Sequence, residues 1–233
     1  MVVTSIEKQQ RGKRYNVLCD GEFSFAVSEE TLLKFGLRTG DELSEEKKEI
    51  IQAEEEFRFA YISALRSLSR GRKTEFEIRQ KLKRKKIASV FVEKVIRLLL
   101  KNRLLDDVSY SHDYVAERLR RKPTGKRMLH QQLMKKGIAK RLIEDSTKEI
   151  SEETELENAF ALTKKKMLRT QSFSKKDQQD VSKKLGQYLY RRGFSSDIVF
   201  KVLRKIFQNS DELFEEKIFA PKSSGHIQFS NAE

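Results

Sequence analysis

The sequence predicts an all-α fold, an elongated and curved array of three tandem three-helix (helix-turn-helix-like) repeats behind a small N-terminal cap that contains a β-hairpin. Three observations predict it. Charged residues make up 36% of the 233-residue chain against 37% hydrophobic, a ratio suited to stacked units that each bury only a stripe. Ten Gly and two Pro are too few punctuators for an all-β or loop-rich chain. A short motif also recurs: Leu82-x-Arg84-Lys85-x-Ile87, Leu133-x-Lys135-Lys136-Gly137-Ile138 and Leu189-x-Arg191-Arg192-Gly193-Phe194. Self-similarity at a spacing of some fifty residues is the mark of a repeat architecture.

The cap comes first, over 1–50. Tyr15, Val17 and Cys19 alternate with polar neighbours, as do Phe23, Phe25 and Val27, and Asp20-Gly21 lies between the two runs. Alternation on both sides of Asp-Gly predicts a tight hairpin, because Gly accepts the positive φ the turn needs. Ser28 is placed to cap a short helix that runs to Phe35 and stops at Gly36.

From Ile51 the period becomes helical. Phe57, Ala60, Tyr61, Ala64, Leu65 and Leu68 form one apolar stripe. Arg70-Gly71-Arg72-Lys73 breaks it, and Thr74-x-x-Glu77 is a capping box for a second helix carrying Phe76, Ile78 and Leu82. A third helix presents Val92, Val95, Ile96, Leu99 and Leu100 and ends near Asn102. These make the first repeat, 51–107.

The second repeat, 108–151, opens behind Asp106-Asp107, with Tyr114, Val115 and Leu119 on its first helix. Pro123 and Gly125 break the chain before a helix with Leu129 and Leu133, and Leu142-Ile143 follow. In the third repeat, 152–207, Leu156, Ala159, Phe160 and Met167 form the first stripe. Ser174 is placed to cap a helix carrying Val181, Leu185, Tyr188 and Leu189, and Ile198-Val199 with Val202-Leu203 complete the trio. Residues 208–233 read as a polar, acidic and mobile tail.

Charge is unevenly distributed. Residues 1–50 are net −2 and 208–233 net −3, whereas 51–207 hold 39 Lys/Arg against 20 Asp/Glu. A basic middle suits a polyanion or an acidic protein surface. The candidate contacts are Arg70, Arg72, Lys73, Lys83, Arg84, Lys85, Lys86, Arg118, Arg120, Arg121, Lys122, Lys126, Arg127, Lys135, Lys136, Arg191 and Arg192. They fall mainly at helix ends and turns, and stacking would align the basic ends of the second helices along one rim. Lys/Arg in a last helical turn also simply complements the helix dipole, and that competing reading fits Lys83–Lys86, Lys135-Lys136 and Arg191-Arg192.

Catalytic constellations are not found in the sequence. His112, His130 and His226 lack metal-site spacing, Gly36-x-x-x-Gly40 lacks the Lys-Ser/Thr of a phosphate loop, and Asp106-Asp107 reads as a helix cap. Cys19 is the sole cysteine, which excludes an internal disulfide. Nothing assembles a nucleophile, a base and an oxyanion site, so no enzyme and no cofactor are expected. Without an apolar leader or an apolar run of spanning length, the expected compartment is the cytoplasm.

Several of these residues together resemble a known family. Ala64-Leu65, then Arg70-x-Arg72-Lys73-Thr74-Glu75-x-Glu77-Ile78-x-x-x-Leu82, resembles the first repeat of the RecX regulatory proteins. Leu104-Leu105-Asp106-Asp107 with Tyr114-Val115-x-x-Arg118 is similar to their second-repeat opening, and Gly125, Leu129, Leu133 and Lys136-Gly137-Ile138 continue the likeness. It spans about 1–207 and is strongest over 57–143. Thr74 stands where many members have Ser, which keeps the capping chemistry. The resemblance implies a modulator of the RecA recombinase, lying in the groove of the RecA–DNA filament and suppressing strand exchange, ATP hydrolysis and co-protease activity in repair, recombination and the SOS response. The implied partners are the RecA filament and, weakly and without sequence preference, DNA, with no membrane and a monomeric chain. The alternative left open is a direct DNA-binding protein with helix-turn-helix-like units, although its helices lack clustered Asn, Gln and Arg for base-edge readout.

Overall fold

The computed structural model describes residues 1–10, 12–168 and 178–207. The expected Ser174 cap and the 208–233 tail lie outside the described residues. Three strands and ten helices are present among those described: β1 (Val3–Lys8), β2 (Arg14–Cys19), β3 (Glu22–Ser28), α1 (Glu29–Phe35), α2 (Glu45–Leu68), α3 (Glu75–Arg84), α4 (Ser89–Lys101), α5 (Asp107–Arg121), α6 (Lys126–Lys135), α7 (Lys140–Thr147), α8 (Glu152–Leu168), α9 (Gln178–Arg191) and α10 (Ser196–Phe207). The chain divides into two compact units, the first ending at Tyr110 and the second beginning at Ser111.

In the first unit, the expected hairpin forms between β2 and β3. Asp20 and Gly21 both take positive φ, 52° and 87°, as the tightest hairpin turn requires. Val17 pairs with Phe25 and Tyr15 with Val27, so the alternating residues share the inner face. Phe23 is the exception: the register shifts between Val17 and Leu18, which pairs Phe23 with Leu18 and turns it outward, 62% exposed. One slipped residue flips a side chain to the other face.

The sheet also has a strand that the hydrophobic alternation does not announce. β1 pairs antiparallel with β2, but a register shift between Val3 and Ser5 breaks its period. Its start is strapped by the loop before α2, where Val3 N–H donates to Asp41 O (2.9 Å) and Gly40 N–H to Val3 O (2.8 Å). The cap core gathers Val3, Val17, Cys19, Phe25, Val27, Leu37, Leu43 and Ile51. α1 is bounded as expected, by Ser28 at its N-cap and by Gly36 in the left-handed conformation.

α2 begins at Glu45, six residues before Ile51, because Ser44 accepts from Lys47 N–H and Glu45 and Glu46 fill the first turn. Its buried Glu55 ties helix to cap: one carboxylate oxygen accepts from Ser28 N–H (2.9 Å), Ser28 Oγ (2.8 Å) and Thr31 Oγ1 (2.7 Å). Further along, Ala60 and Ala64 are fully buried against Ile78, Leu82, Val95, Ile96 and Leu99 of α3 and α4. The Thr74–Glu77 capping box forms in both directions. Phe76 and Leu100, expected on the inner stripes, are 41% and 43% exposed; each lies at the margin of its stripe.

In the second unit, Leu129, Leu133, Ile138 and Ile143 are buried in the second repeat. The third packs Ala159, Val181, Leu185, Leu189, Phe194, Ile198, Val199, Val202 and Leu203 into one cluster, with Phe160 remaining 37% exposed.

The recurring motif is one structural device built three times. Ile87, Ile138 and Phe194 each donate a backbone N–H to Leu82, Leu133 and Leu189 respectively, while Lys86, Gly137 and Gly193 donate to Lys83, Met134 and Tyr190. Lys86, Gly137 and Gly193 all have positive φ, 60°, 77° and 86°. This double bond pattern with a left-handed residue is the Schellman ending of a helix. The apolar residue after it folds back over the helix and fixes the angle at which the third helix leaves.

Candidate functional site

The motif explains why basic residues gather where they do. Arg84, Lys135 and Arg191 are the last residues of α3, α6 and α9, and Lys85, Lys136 and Arg192 follow directly. Carbonyls accumulate negative potential at such ends, and cations there offset it.

In the first unit the structure gathers several candidates around a residue that the reading of contiguous basic runs passes over. Lys81 is pushed below the usual lysine pKa, first by burial and then by the charges of Arg70, Lys85, Lys73 and Arg84. Four candidates from the turn before α3 and from its end thus share one field. Lys85 Nζ also lies 4.9 Å from the centroid of the Phe59 ring, which is 42% exposed. Lys81 was findable at i, i+3 and i+4 from Arg84 and Lys85; Phe59, on another helix, was not. Lys83 and Lys86 are exposed. Arg72 donates to Ser109 Oγ at 3.0 Å.

In the second unit Arg118 and Lys136 meet at one aromatic ring. Arg118 Nε donates to the Tyr114 hydroxyl (3.1 Å), its guanidinium carbon lies 5.3 Å from the ring centroid, and Lys136 Nζ lies 5.9 Å from it. Arg120, Arg121 and Lys122 are exposed at the end of α5, with Arg121 paired to Glu117 at 3.0 Å. Lys135 and Arg191 are exposed.

Exposed Arg127 and half-buried Arg192 each bond to a backbone carbonyl of the fold. Arg127 donates to Tyr190 O (2.7 Å) with its guanidinium carbon 3.6 Å from the Tyr190 centroid. Arg192 donates to Pro123 O (2.8 Å). Both belong to a junction where the end of α9 meets the start of α6: Gly125 N–H donates to Arg192 O (3.0 Å) and Arg127 N–H to Gly193 O (3.2 Å). Carbonyls at a helix end thereby satisfy the free N–H groups of a helix start. Between the second and third repeats, then, the basic end of α9 faces the beginning of α6 rather than sharing a rim with Lys135 and Lys136.

The N–H of Lys126 is satisfied by buried Glu155 of α8 at 2.8 Å. The first unit has a counterpart, in which Asp107 of α5 accepts from the N–H of Glu75, the first residue of α3, at 3.0 Å. Burial pushes the Asp107 carboxyl up, and that hydrogen bond draws it back. Asp106 caps α5 itself through Ser109 N–H, so the expected acidic cap divides into one local and one long-range role.

His112 faces Asp145 at 3.5 Å on the surface. His130 Nε2 is 2.9 Å from Thr147 Oγ1, and burial pushes its pKa down. His226 lies outside the described residues. Among the described residues, no three His, Cys, Asp or Glu side chains are grouped to hold a metal ion, and no helix is long and apolar enough to cross a membrane.

Family models match four stretches that together make up most of the chain. The regulatory protein RecX N-terminal domain matches residues 1–44, and the first, second and third RecX three-helix domains match 60–97, 106–146 and 153–203. The regulatory protein RecX of Clostridium beijerinckii is 31% identical over 205 residues, 88% of this chain and 95% of that protein. That of Bacillus cytotoxicus is 31% identical over 216 residues, 91% of this chain and 79% of that one. A crystal structure of regulatory protein RecX superposes with a TM-score of 0.62 at 31% identity, covering 86% of this chain and 98% of its own. RecX from Lactobacillus salivarius, at 24% identity and a TM-score of 0.57, shares the fold. With a sheet-bearing cap, three helical trios that share one repeated turn, and this identity over most of its length, the chain belongs to the RecX family of regulatory proteins.

Proposed function

We propose that this chain docks as a monomer onto the RecA–DNA filament in the cytoplasm and lowers strand exchange, ATP hydrolysis and co-protease activity, so modulating recombination and repair. The observation that carries the reading is the cation cluster around Lys81, whose positive charge is disfavoured first by burial and then by the charges of Arg70, Lys85, Lys73 and Arg84. Such a cluster gains most when a phosphate or carboxylate relieves its self-repulsion. Membership of a family of regulatory proteins supports the same reading. Other exposed candidates, among them Lys83, Lys86, Arg120, Arg121, Lys122, Lys135 and Arg191, add to the attraction.

On this reading DNA alone is bound weakly, without sequence preference and with strong salt dependence. Reversing Lys81 and Arg84 to Glu is expected to weaken inhibition of RecA by about tenfold or more with unchanged helical signal, since phosphate-facing cations contribute roughly uniformly. The triple change Arg120→Glu, Arg121→Glu and Lys122→Glu is expected to act in the same direction. Full inhibition by both variants would overturn the reading. A strong preference for one duplex sequence would favour a direct DNA-binding regulator instead.

A further inference from the structure

Alongside α6 a cleft of about 550 Å³ opens, which the cation clusters do not use. Its wall on α6 is a single helical face, Arg127, His130 and Met134, with Met128 beside it, and its far wall is Tyr190 and Arg191 at the end of α9. Two of these side chains are apolar and open to solvent: Met134 is 61% exposed and Tyr190 40%. Gly193 also lines the cleft, at the α6–α9 junction where its backbone packs closely on that of Gly125.

We propose that this cleft receives one apolar side chain of an acidic protein segment, so that the chain reads a protein surface here and not a nucleic acid. The inference rests on the filament-docking reading and names the partner chemistry at one place in it. One face of Tyr190 is covered by the Arg127 guanidinium at 3.6 Å, one N–H of which donates to Tyr190 O. A nucleobase therefore finds no open stacking platform on that face, which is what single-strand binding clefts provide. Met128 and Met134 offer a flexible, polarizable wall that adapts to an apolar side chain. No carboxylate lines the cleft, and exposed Arg191 on its edge gives a positive rim. An anchor residue flanked by Asp or Glu satisfies both features, since apolar burial supplies affinity and the rim supplies selection.

The test uses the full chain, a fluorescent single-stranded oligonucleotide, and RecA filaments assembled on that oligonucleotide with a non-hydrolysable nucleotide. Met134→Gln removes the apolar surface without changing charge or helix length, and Met134→Leu keeps it. Met134→Gln is expected to weaken filament binding about fivefold, the effect of one partly buried side chain, with oligonucleotide binding unchanged and Met134→Leu close to wild type. Equal loss on filament and oligonucleotide would overturn the inference in favour of a nucleic-acid occupant. Unchanged filament binding by Met134→Gln would overturn it outright. A wild-type chain that binds filaments no better than the bare oligonucleotide would overturn the docking reading along with it, which distinguishes the two failures.

Discussion

Gly125 and Gly193 touch through their backbones: a Cβ on Gly125 would lie 2.3 Å from the carbonyl carbon and oxygen of Gly193, and one on Gly193 would lie 2.2 Å from Met128 Cβ. Three hydrogen bonds depend on that approach or follow directly from it, from Gly125 to Arg192 O, from Arg127 to Gly193 O and from Arg192 to Pro123 O. The pair is the joint between the second and third repeats.

Gly125→Ala is accordingly expected to destabilise the second unit by about 3 kcal/mol, the upper range for overpacking against atoms that cannot yield. The Gly125 backbone has φ −71°, so the loss would come from the clash and not from conformational preference. Urea unfolding followed by circular dichroism measures it; a change below about 0.5 kcal/mol would mean that the joint opens without cost.

A carboxylate on the first helix of one trio caps the middle helix of the trio before it, with Asp107 the first residue of α5. Glu155 does so for α6 and Asp107 for α3. Glu155→Ala should cost about 2 kcal/mol, as expected for a buried charge-assisted hydrogen bond that leaves an N–H unpaired. Asp107→Ala should cost less, because burial already disfavours its charge. Equal effects from the two in chemical denaturation would contradict this ordering.

Lys86 occupies the left-handed position that Gly137 and Gly193 fill in the other two copies. A side chain there costs about 1 kcal/mol relative to Gly. Lys86→Gly is therefore expected to raise the unfolding free energy by about that amount, and a lower midpoint in thermal or urea unfolding would refute it.

His130 provides a pH test. Burial holds its folded-state pKa below the ordinary 6.5, so the unfolded chain takes up the proton more readily. Its contribution is complete above the ordinary value and is lost as pH falls through 6.5 toward the folded-state value. Measured against His130→Gln between about pH 8 and pH 5, the wild type should lose stability on acidification and the difference should then level off. A pH-independent difference would show that the imidazole is not desolvated.

What was legible in the sequence is what local chemistry determines. Ser28, Gly36 and the Thr74–Glu77 box act within a few residues of themselves, and each sits in its expected place. The turn after Leu82, Leu133 and Leu189 is equally local, so three copies could be aligned by eye. Long-range relationships were hidden. β1 lost its period to a register shift, and Phe23 turned outward for the same reason. Charge alone marked Arg127 and Arg192 like their neighbours, yet only the fold reveals that Tyr190 and Pro123 hold them. Lys81 escaped because its cluster is assembled across a turn and a helix.

The most direct test is a titration of single-stranded-DNA-dependent ATP hydrolysis by RecA with the purified chain at two salt concentrations. The docking account predicts that hydrolysis falls at or below stoichiometric amounts and that higher salt weakens the effect, as the Lys81 cluster requires. Undiminished hydrolysis at saturating chain would contradict it.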